Sequence, residues 1–144
     1  MKGFLLDTNI ISELIRPRPD PAVVAWIAER VVSELFIASI TIGELTRGAQ
    51  KIGNTERGLK LQNWIAHEIM HQFNHRILAF DTKAARVWGS MMGDSDRRGA
   101  TLPAADAQIA AIAHVNQLSI ATRYTKDFER MLESVVNPFL SAHQ

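Results

Sequence analysis

The sequence predicts an α/β protein, a three-layer α/β/α sandwich around a central, mostly parallel sheet of four to five strands. Short apolar runs alternate along the chain with longer stretches of helical periodicity. Apolar runs without polar alternation are typical of strands buried on both faces, and strands that alternate with helices form βαβ units. At 144 residues with 47% apolar composition, residues 1–144 are expected to form a single domain.

Strands are predicted where short apolar runs are bounded by polar residues or by the start of a helical pattern. The predicted strands cover residues 4–6, 35–38, 76–80, 118–122 and 135–136. The first of them ends directly in Asp7, and the third ends directly in Asp81. In an open parallel sheet, ligands bind at the carboxyl ends of the strands, so both acids are predicted at that edge.

Helices are predicted from caps, prolines and apolar periodicity between the strands. Thr8 or Asn9 can cap the first helix, and Asp20 caps the second, which has Pro21 at its first position. The predicted helices cover residues 10–15, 21–27, 39–52, 59–73, 84–92 and 103–113. The stretch 93–99 is predicted to be a polar loop or a frayed helix end because it is rich in Gly, Asp and Arg.

Composition excludes several classes of site. The chain has no cysteine, which rules out disulfides and thiolate metal sites. The formal net charge of +1 neither demands nor excludes a nucleic-acid partner, because a local basic patch would suffice. No apolar run approaches the ~20 residues that a membrane span needs. A cytoplasmic protein without membrane association is therefore expected.

Five acidic residues lie just after predicted strands or in the opening turns of helices: Asp7, Glu44, Asp81, Asp106 and Asp127. In a parallel sheet most such positions fall at one edge. Carboxylates gathered there repel one another unless a cation neutralises them, and an all-oxygen site suits Mg²⁺ or Mn²⁺. Two such ions ~3.5–4 Å apart assist in-line displacement at phosphorus. The acids therefore predict a metal-dependent phosphodiester chemistry.

Each of these acids except the first also has a structural explanation. Thr41 and Glu44 match a capping box, in which Glu44 would bond the Thr41 amide. Asp81 is a plausible N-cap, and Asp106 and Asp127 lie in first turns, where the helix dipole favours acids. The joint pattern, and not any single position, supports the metal site.

The segment His67-Glu68-x-x-His71 matches the zincin motif, with two histidines on one helix face and Glu68 as general base. The sequence offers no third ligand, since Asn74 and Ile77 stand where metzincins have Gly and His. A solvated helix face is the simpler explanation, and a zinc metalloprotease is the least favoured alternative.

Basic residues near the predicted carboxyl edge are candidates for contact with a nucleic-acid phosphate. They are Arg47, Arg98 and Arg123. Phosphate binding requires such cations, although a solvated surface explains scattered arginines equally well. Arg123 is the best placed of the three because it directly follows a predicted strand.

Four motifs in order resemble PIN-domain ribonucleases, most closely the VapC-type toxins of type II toxin–antitoxin modules and their FitB-like branch. The motifs are Leu6-Asp7-Thr8-Asn9, Thr41-Ile42-Gly43-Glu44-Leu45, Pro103-Ala104-Ala105-Asp106 and Thr122-Arg123 followed by Lys126-Asp127-Phe128. The resemblance extends from Phe4 to Phe139, and ordered motifs at suitable separations make it specific.

The resemblance implies an endoribonuclease toxin that depends on one or two Mg²⁺ or Mn²⁺ ions and cuts structured RNA such as tRNA or rRNA. It also implies a cognate antitoxin of the VapB or FitA kind, and a homodimer or a higher assembly with that antitoxin. Carried over by position, the catalytic and metal-binding carboxylates would be Asp7, Glu44, Asp106 and Asp127. The supporting candidates are Thr8, Asn9, Ser39, Asp81 and Tyr124.

The last of the four motifs departs from the pattern of these toxins. They usually have Asn or Asp directly after Thr-Arg, where this chain has Tyr124. A phenol is a poor Mg²⁺ ligand, so the fourth acid is assigned to Asp127, and Tyr124 is expected either to stack on a base or to pack. Two alternatives stay open: a catalytically weakened protein-interaction module, and a phosphohydrolase that uses Asp7 as nucleophile.

Overall fold

The computed structural model describes residues 3–140, which form a five-stranded parallel sheet between two layers of helices. The strands are β1 (Phe4–Leu6), β2 (Leu35–Ala38), β3 (Ile77–Leu78), β4 (Ser119–Ala121) and β5 (Val135–Val136). Their order in the sheet is β3-β2-β1-β4-β5, and every pairing is parallel. The predicted α/β/α sandwich is confirmed, with five strands in its sheet.

Eight α-helices occur in the described residues: α1 (Thr8–Leu14), α2 (Pro21–Ala28), α3 (Ser39–Ile52), α4 (Glu56–Asn63), α5 (Met70–Gln72), α6 (Thr82–Arg97), α7 (Ala104–Val115) and α8 (Thr125–Glu129). A 3₁₀ turn, Val32–Glu34, precedes β2, and a π-helical segment, Trp64–Ile69, joins α4 to α5. Within residues 3–140, no helix has the length and hydropathy to cross a membrane.

The first strand lies at the centre of the sheet. β1 pairs with β2 on one side, where Phe4 is opposite Leu35, and with β4 on the other, where Leu6 is opposite Ala121. The chain therefore builds one half of the sheet first and then returns to build the other half beside β1. A crevice forms at the carboxyl ends of the strands where the winding direction reverses, and such crevices bind ligands.

Alternate residues of β1 face the two helical layers, as expected for a pleated strand. Leu5 packs with the layer of α6, α7 and α8, whose buried residues include Ala84, Ile112 and Phe128. Phe4 and Leu6 pack on the other side with α1, α2 and the π-helical segment, through Ile10, Val23 and Ile69. Both faces of the strand are buried, which explains its continuous apolar sequence.

The cap of α1 differs from the prediction. Asp7 is the N-cap residue, and its Oδ1 accepts a hydrogen bond from the Thr8 N–H at 2.8 Å. Thr8 and Asn9, the predicted caps, are instead the first two residues of the helix. The prediction was wrong by one or two residues, because the acid that directly follows β1 caps the helix.

The stretch 93–99 was predicted as a polar loop or a frayed helix end, and the loop alternative is wrong because α6 continues to Arg97. Asp94 and Arg97 form an i,i+3 ion pair with Oδ1 and Nη2 2.6 Å apart, which supports the last turns of the helix. Ser95 is buried, and its hydroxyl donates to the Ala100 carbonyl. This bond connects the end of the helix to the chain that follows it.

The third strand is shorter than predicted, since only Ile77 and Leu78 pair with β2 out of the expected 76–80. Arg76 precedes the pairing, and its Nη1 donates to the Val32 carbonyl at 2.9 Å. The prediction that Asp81 is an N-cap is confirmed, since its Oδ1 accepts a hydrogen bond from the Ala84 N–H at 2.9 Å at the start of α6.

Candidate active site

A cavity of about 400 Å³ opens at the carboxyl ends of β1 and β4, where the sheet order reverses. Its lining includes three of the predicted carboxylates, Asp7, Glu44 and Asp106. It also includes Arg123 and Tyr124, which directly follow Thr122. These side chains come from four separate segments of the chain, namely the end of β1, α3, α7 and the end of β4. The fold thus gathers residues that the sequence spreads over more than a hundred positions.

Asp7 is held firmly at the base of this cavity, with only 5% of the residue exposed. Its Oδ2 accepts hydrogen bonds from Asn9 Nδ2 and from Thr122 Oγ1, each at 2.8 Å, while its Oδ1 caps α1. Burial raises the pKa of Asp7 above its ordinary value of 3.8, an effect that the bond from Thr122 partly offsets and the charge of Glu44 increases. Hydrogen bonds from its neighbours therefore orient the Asp7 side chain, while burial destabilises its charged form.

Glu44 is exposed and lies in the second turn of α3. Its Oε1 accepts a hydrogen bond from Thr8 Oγ1 at 2.5 Å, and the same hydroxyl lies 3.1 Å from Thr41 Oγ1. The N-cap of α3 is Ala38, and Thr41 is buried inside the helix. The capping-box explanation of Glu44 is therefore wrong, because Thr41 is not the residue that caps the helix.

Asp106 lies in the first turn of α7 and is partly buried. Its pKa is raised from 3.8 to about 6, chiefly by burial and then by the charges of Asp7, Asp127 and Glu44, in that order. Three other carboxylates therefore disfavour the ionised form of Asp106. A bound cation would relieve the repulsion that this arrangement creates.

Several predicted residues do not line the cavity. Asp127 lies in the first turn of α8 and acts on the site only through its charge on Asp106. Ser39 begins α3, and the exposed Asp81 caps α6. The cap accounts for the position of Asp81 without a catalytic role.

Of the three arginines predicted to contact phosphate, Arg123 lines the cavity, and Arg47 and Arg98 are exposed elsewhere. The Arg123 N–H donates to Asn9 Oδ1 at 2.9 Å. Its guanidinium carbon lies 3.8 Å from the centroid of the Phe139 ring, which is a close cation–π contact.

Thr122 is a central residue of the site that sequence reasoning left without a role. It is fully buried, and besides donating to Asp7 its Oγ1 accepts hydrogen bonds from the Tyr124 N–H at 3.0 Å and from Asn9 Nδ2 at 3.2 Å. The signal that could have identified it is a hydroxyl directly after the strand that neighbours β1.

Glu13 and Arg16 were also missed, and both line the cavity. Glu13 is 6% exposed and accepts hydrogen bonds from the Asp20 N–H at 2.8 Å and from Arg16 Nη1 at 3.3 Å. The buried carboxylate ties α1 to the proline-rich loop that precedes α2. An acid on the apolar face of a short helix, three residues before an arginine, was the available signal.

The donor set fits a hard divalent cation in chemistry and charge, since the carboxylates of Asp7, Glu44 and Asp106 converge with no soft ligand among them. In the described part of the chain, no three acidic or histidine side chains are close enough to ligate one ion as they stand.

The histidines of the zincin-like segment lie outside the cavity. His67 and Glu68 are exposed in the π-helical segment, and His71 is exposed in α5. No third acidic or histidine ligand joins them within residues 3–140. Their positions agree with a solvated helix face.

The family model for the PIN domain matches residues 4–132. The chain is 35% identical over 136 residues to VapC ribonuclease Y4jK of Sinorhizobium fredii, covering 94% of this chain and 97% of the relative. It is also 35% identical over 136 residues to toxin FitB of Neisseria gonorrhoeae, which covers 94% of this chain and 98% of the relative. The crystal structure of FitAcB from Neisseria gonorrhoeae matches with a TM-score of 0.87 at 34% identity, over 94% of this chain and 98% of that chain.

Proposed function

Because the chain belongs to the PIN domain family, we propose that it is a divalent-metal-dependent endoribonuclease that acts as the toxin of a toxin–antitoxin pair. Its substrate is structured RNA such as tRNA or rRNA. The observation that carries this proposal is the convergence of Asp7, Glu44 and Asp106 on one cavity at the reversal point of the sheet.

In this proposal Asp7, Glu44 and Asp106 hold Mg²⁺ or Mn²⁺, and the charge of Asp127 strengthens the negative potential that attracts the cation. When bound, such an ion supplies an activated water and charge neutralisation at the phosphate. Asn9 and Thr122 orient Asp7, and Thr8 orients Glu44. Arg123 binds an RNA phosphate beside the cavity.

The Asp7→Asn variant tests the catalytic assignment. Loss of one anionic ligand should abolish RNA cleavage and growth inhibition while the circular dichroism spectrum stays native. Asp94→Asn is the matched control, because Asp94 is an exposed acid on α6 whose ion-pair partner is Arg97. Asp7→Asn that still cleaves RNA in an EDTA-sensitive way would contradict the proposal.

Calorimetric titration with Mn²⁺ tests the metal requirement separately from catalysis. Wild-type protein should bind Mn²⁺ and gain thermal stability, since a ligand that binds only the folded state stabilises it. Asp106→Asn should bind more weakly. Absence of binding at millimolar Mn²⁺ would instead favour a protein-interaction module without metal chemistry.

A groove of about 1,130 Å³ lies beside the acidic cavity and suits the antitoxin partner in this proposal. The two share Thr8, Ser12, Arg16 and Glu44, so a chain lying in the groove reaches the carboxylates. The groove is lined by apolar side chains of α3, α4 and the π-helical segment, which are Leu45, Ala49, Ile52, Leu61, Trp64 and Ile65.

Gly48→Gln tests this docking site. Gly48 lines the groove on α3, and a Cβ at this position has no neighbour within 4 Å, so a glutamine fills the groove without disturbing the fold. The variant should cleave RNA normally yet resist inhibition by the cognate antitoxin. Gly89→Gln is the matched control on α6, where a Cβ is equally free of neighbours. Equal inhibition of both variants would place the antitoxin elsewhere.

A further inference from the structure

The side chain of Tyr124 stands at the acidic cavity with 54% of the residue exposed, although it is a large aromatic group. It does not pack into the core, and its phenol is poorly suited to a divalent cation. We propose that Tyr124 is a stacking platform for one unpaired base of the RNA substrate, beside a phosphate held by Arg123. This inference rests on the proposed ribonuclease function and defines which part of the RNA enters the site.

The ring is presented by a fixed turn and not by a loose loop. The Tyr124 N–H donates to Thr122 Oγ1 at 3.0 Å, and the preceding Arg123 N–H donates to Asn9 Oδ1 at 2.9 Å. Thr122 is itself bonded to Asp7. The backbone under the ring is therefore tied to the carboxylates, and a base stacked on the ring has a defined position relative to them.

The neighbouring Arg123 is preorganised in the same way. Its guanidinium carbon lies 3.8 Å from the centroid of the Phe139 ring. Stacking covers one face of the guanidinium and leaves its N–H edge available to a phosphate. Consecutive residues thus offer a surface for a base and a cation for a phosphate, the two parts of one nucleotide.

The charge of the cavity explains why such a platform is needed. The carboxylates of Asp7, Glu44 and Asp106 repel the RNA backbone, so groups around the cavity without negative charge help to hold the RNA beside the bound ion. Stacking on a neutral ring adds affinity for RNA without adding a cationic side chain, which would compete with the metal for the carboxylates.

An aromatic platform selects unpaired nucleotides. A base inside an RNA helix already has both faces covered by its neighbours, and extruding it costs free energy. Bases in loops and bulges are exposed, and aromatic side chains recognise them by stacking. The site should therefore accept a loop or bulge next to the scissile phosphate.

The test combines variants of Tyr124 with RNA hairpins that contain the mapped cleavage site. Each loop position of the hairpin is replaced in turn by an abasic nucleotide. The dissociation constant between protein and hairpin is then measured with Mn²⁺ for proteins that also carry Asp7→Asn, so that the RNA is not cleaved. Tyr124→Leu should weaken binding of the intact hairpin by about 5- to 150-fold, the range that corresponds to ~1–3 kcal/mol per stacked base. Tyr124→Phe keeps the ring and should bind within about twofold of the parent.

The decisive readout is the coupling between protein and RNA changes. At one loop position, removal of the base should weaken binding to the Tyr124 parent by the same factor as Tyr124→Leu, and should not weaken the Tyr124→Leu protein further. A merely structural role would reduce binding without this positional coupling. Equal binding by Tyr124→Leu and the parent, or cleavage mapped inside a paired helix, would overturn the inference.

Two other outcomes are distinguishable. If Tyr124→Leu cleaves normally but resists the antitoxin, the ring contacts protein and the inference is overturned. If wild-type protein cleaves no RNA, the proposed function and the inference fail together, whereas failure of the coupling alone leaves the ribonuclease proposal intact.

Discussion

Thr122 Oγ1 donates a hydrogen bond to Asp7 Oδ2 across 2.8 Å, and it joins residues that are 115 positions apart in the chain. The bond links the carboxyl ends of β4 and β1, which are adjacent in the sheet. It also lowers the pKa of Asp7 against the effect of burial. One hydroxyl therefore contributes to both the stability of the sheet edge and the ionisation of the site.

Thr122→Val is expected to lose stability and metal affinity together. The substitution removes the bond to Asp7 and leaves the Tyr124 N–H without its acceptor, at a cost of about 1–3 kcal/mol in the free energy of unfolding. The pKa of Asp7 should rise further, which weakens Mn²⁺ binding. Urea unfolding and Mn²⁺ titration measure the two effects, and Thr122→Ser should restore both. A stable Val variant with unchanged Mn²⁺ affinity would be evidence against this coupling.

The metal-free protein is expected to lose stability as pH rises between about 4 and 6 through the ionisation of Asp106. Its pKa of about 6 in the folded state exceeds the ordinary 3.8, so the folded protein retains a proton that the unfolded chain has released. This contribution is fully present below pH 4 and is lost as pH rises through 6. Thermal unfolding in EDTA across this range measures it.

Asp106→Asn is the comparison for this pH effect because it cannot ionise. The stability of the wild type relative to the variant should fall as pH increases from 4 to 6 and then stay level. Saturating Mn²⁺ at pH 7 should raise the melting temperature of the wild type more than that of the variant. Parallel pH profiles in EDTA would show that Asp106 ionises as an ordinary carboxyl.

Glu13→Ala should destabilise the fold more than Arg16→Ala, although the two residues form one ion pair. The Glu13 side chain is 7% exposed and the Arg16 side chain 63% exposed. Removing Glu13 leaves the Asp20 N–H unpaired and should cost about 1–3 kcal/mol, while the exposed half of the pair contributes about 0–1 kcal/mol. Urea unfolding of both variants decides the order, and equal losses would assign the effect to the ion pair alone.

Two glycine-to-alanine changes should have opposite effects on stability. At Gly58 an added Cβ would lie 2.0 Å from the Gly53 carbonyl oxygen, so Gly58→Ala must displace the backbone at a cost of about 1–3 kcal/mol. At Gly89, inside α6, a Cβ meets nothing within 4 Å, and alanine should stabilise the helix by about 0.5–1 kcal/mol. Melting temperatures that move in the same direction would contradict this packing.

The architecture was predictable because buried parallel strands leave a strong mark on the sequence. Phe4–Leu6 is apolar at every position because β1 is covered on both faces. Helix ends were less predictable, since they depend on contacts outside the local pattern. The extension of α6 to Arg97 is an example: buried Ser95 bonds Ala100, a contact that composition does not reveal.

The acids of the cavity were predictable for a different reason. Asp7 and Asp106 follow features that the sequence shows directly, a strand end and a helix start, and parallel topology brings such positions together. Thr122 and Glu13 could not be assigned in this way, because their roles arise from hydrogen bonds to distant or irregular backbone. Tyr124 was recognised as a departure from the motif, but only the structure shows that its ring is exposed and not packed into the core.

The central position of β1 determines when the acidic cavity can first form during synthesis of the chain. One neighbour of β1, Leu35–Ala38, is translated soon after it, but the other neighbour, Ser119–Ala121, is translated much later. Until then Asp7 lacks Thr122, and the turn that bears Arg123 and Tyr124 has not been made. A nascent chain therefore carries Asp7 for most of translation without the partners that orient it, and the acidic cavity is complete only after the second half of the sheet has formed.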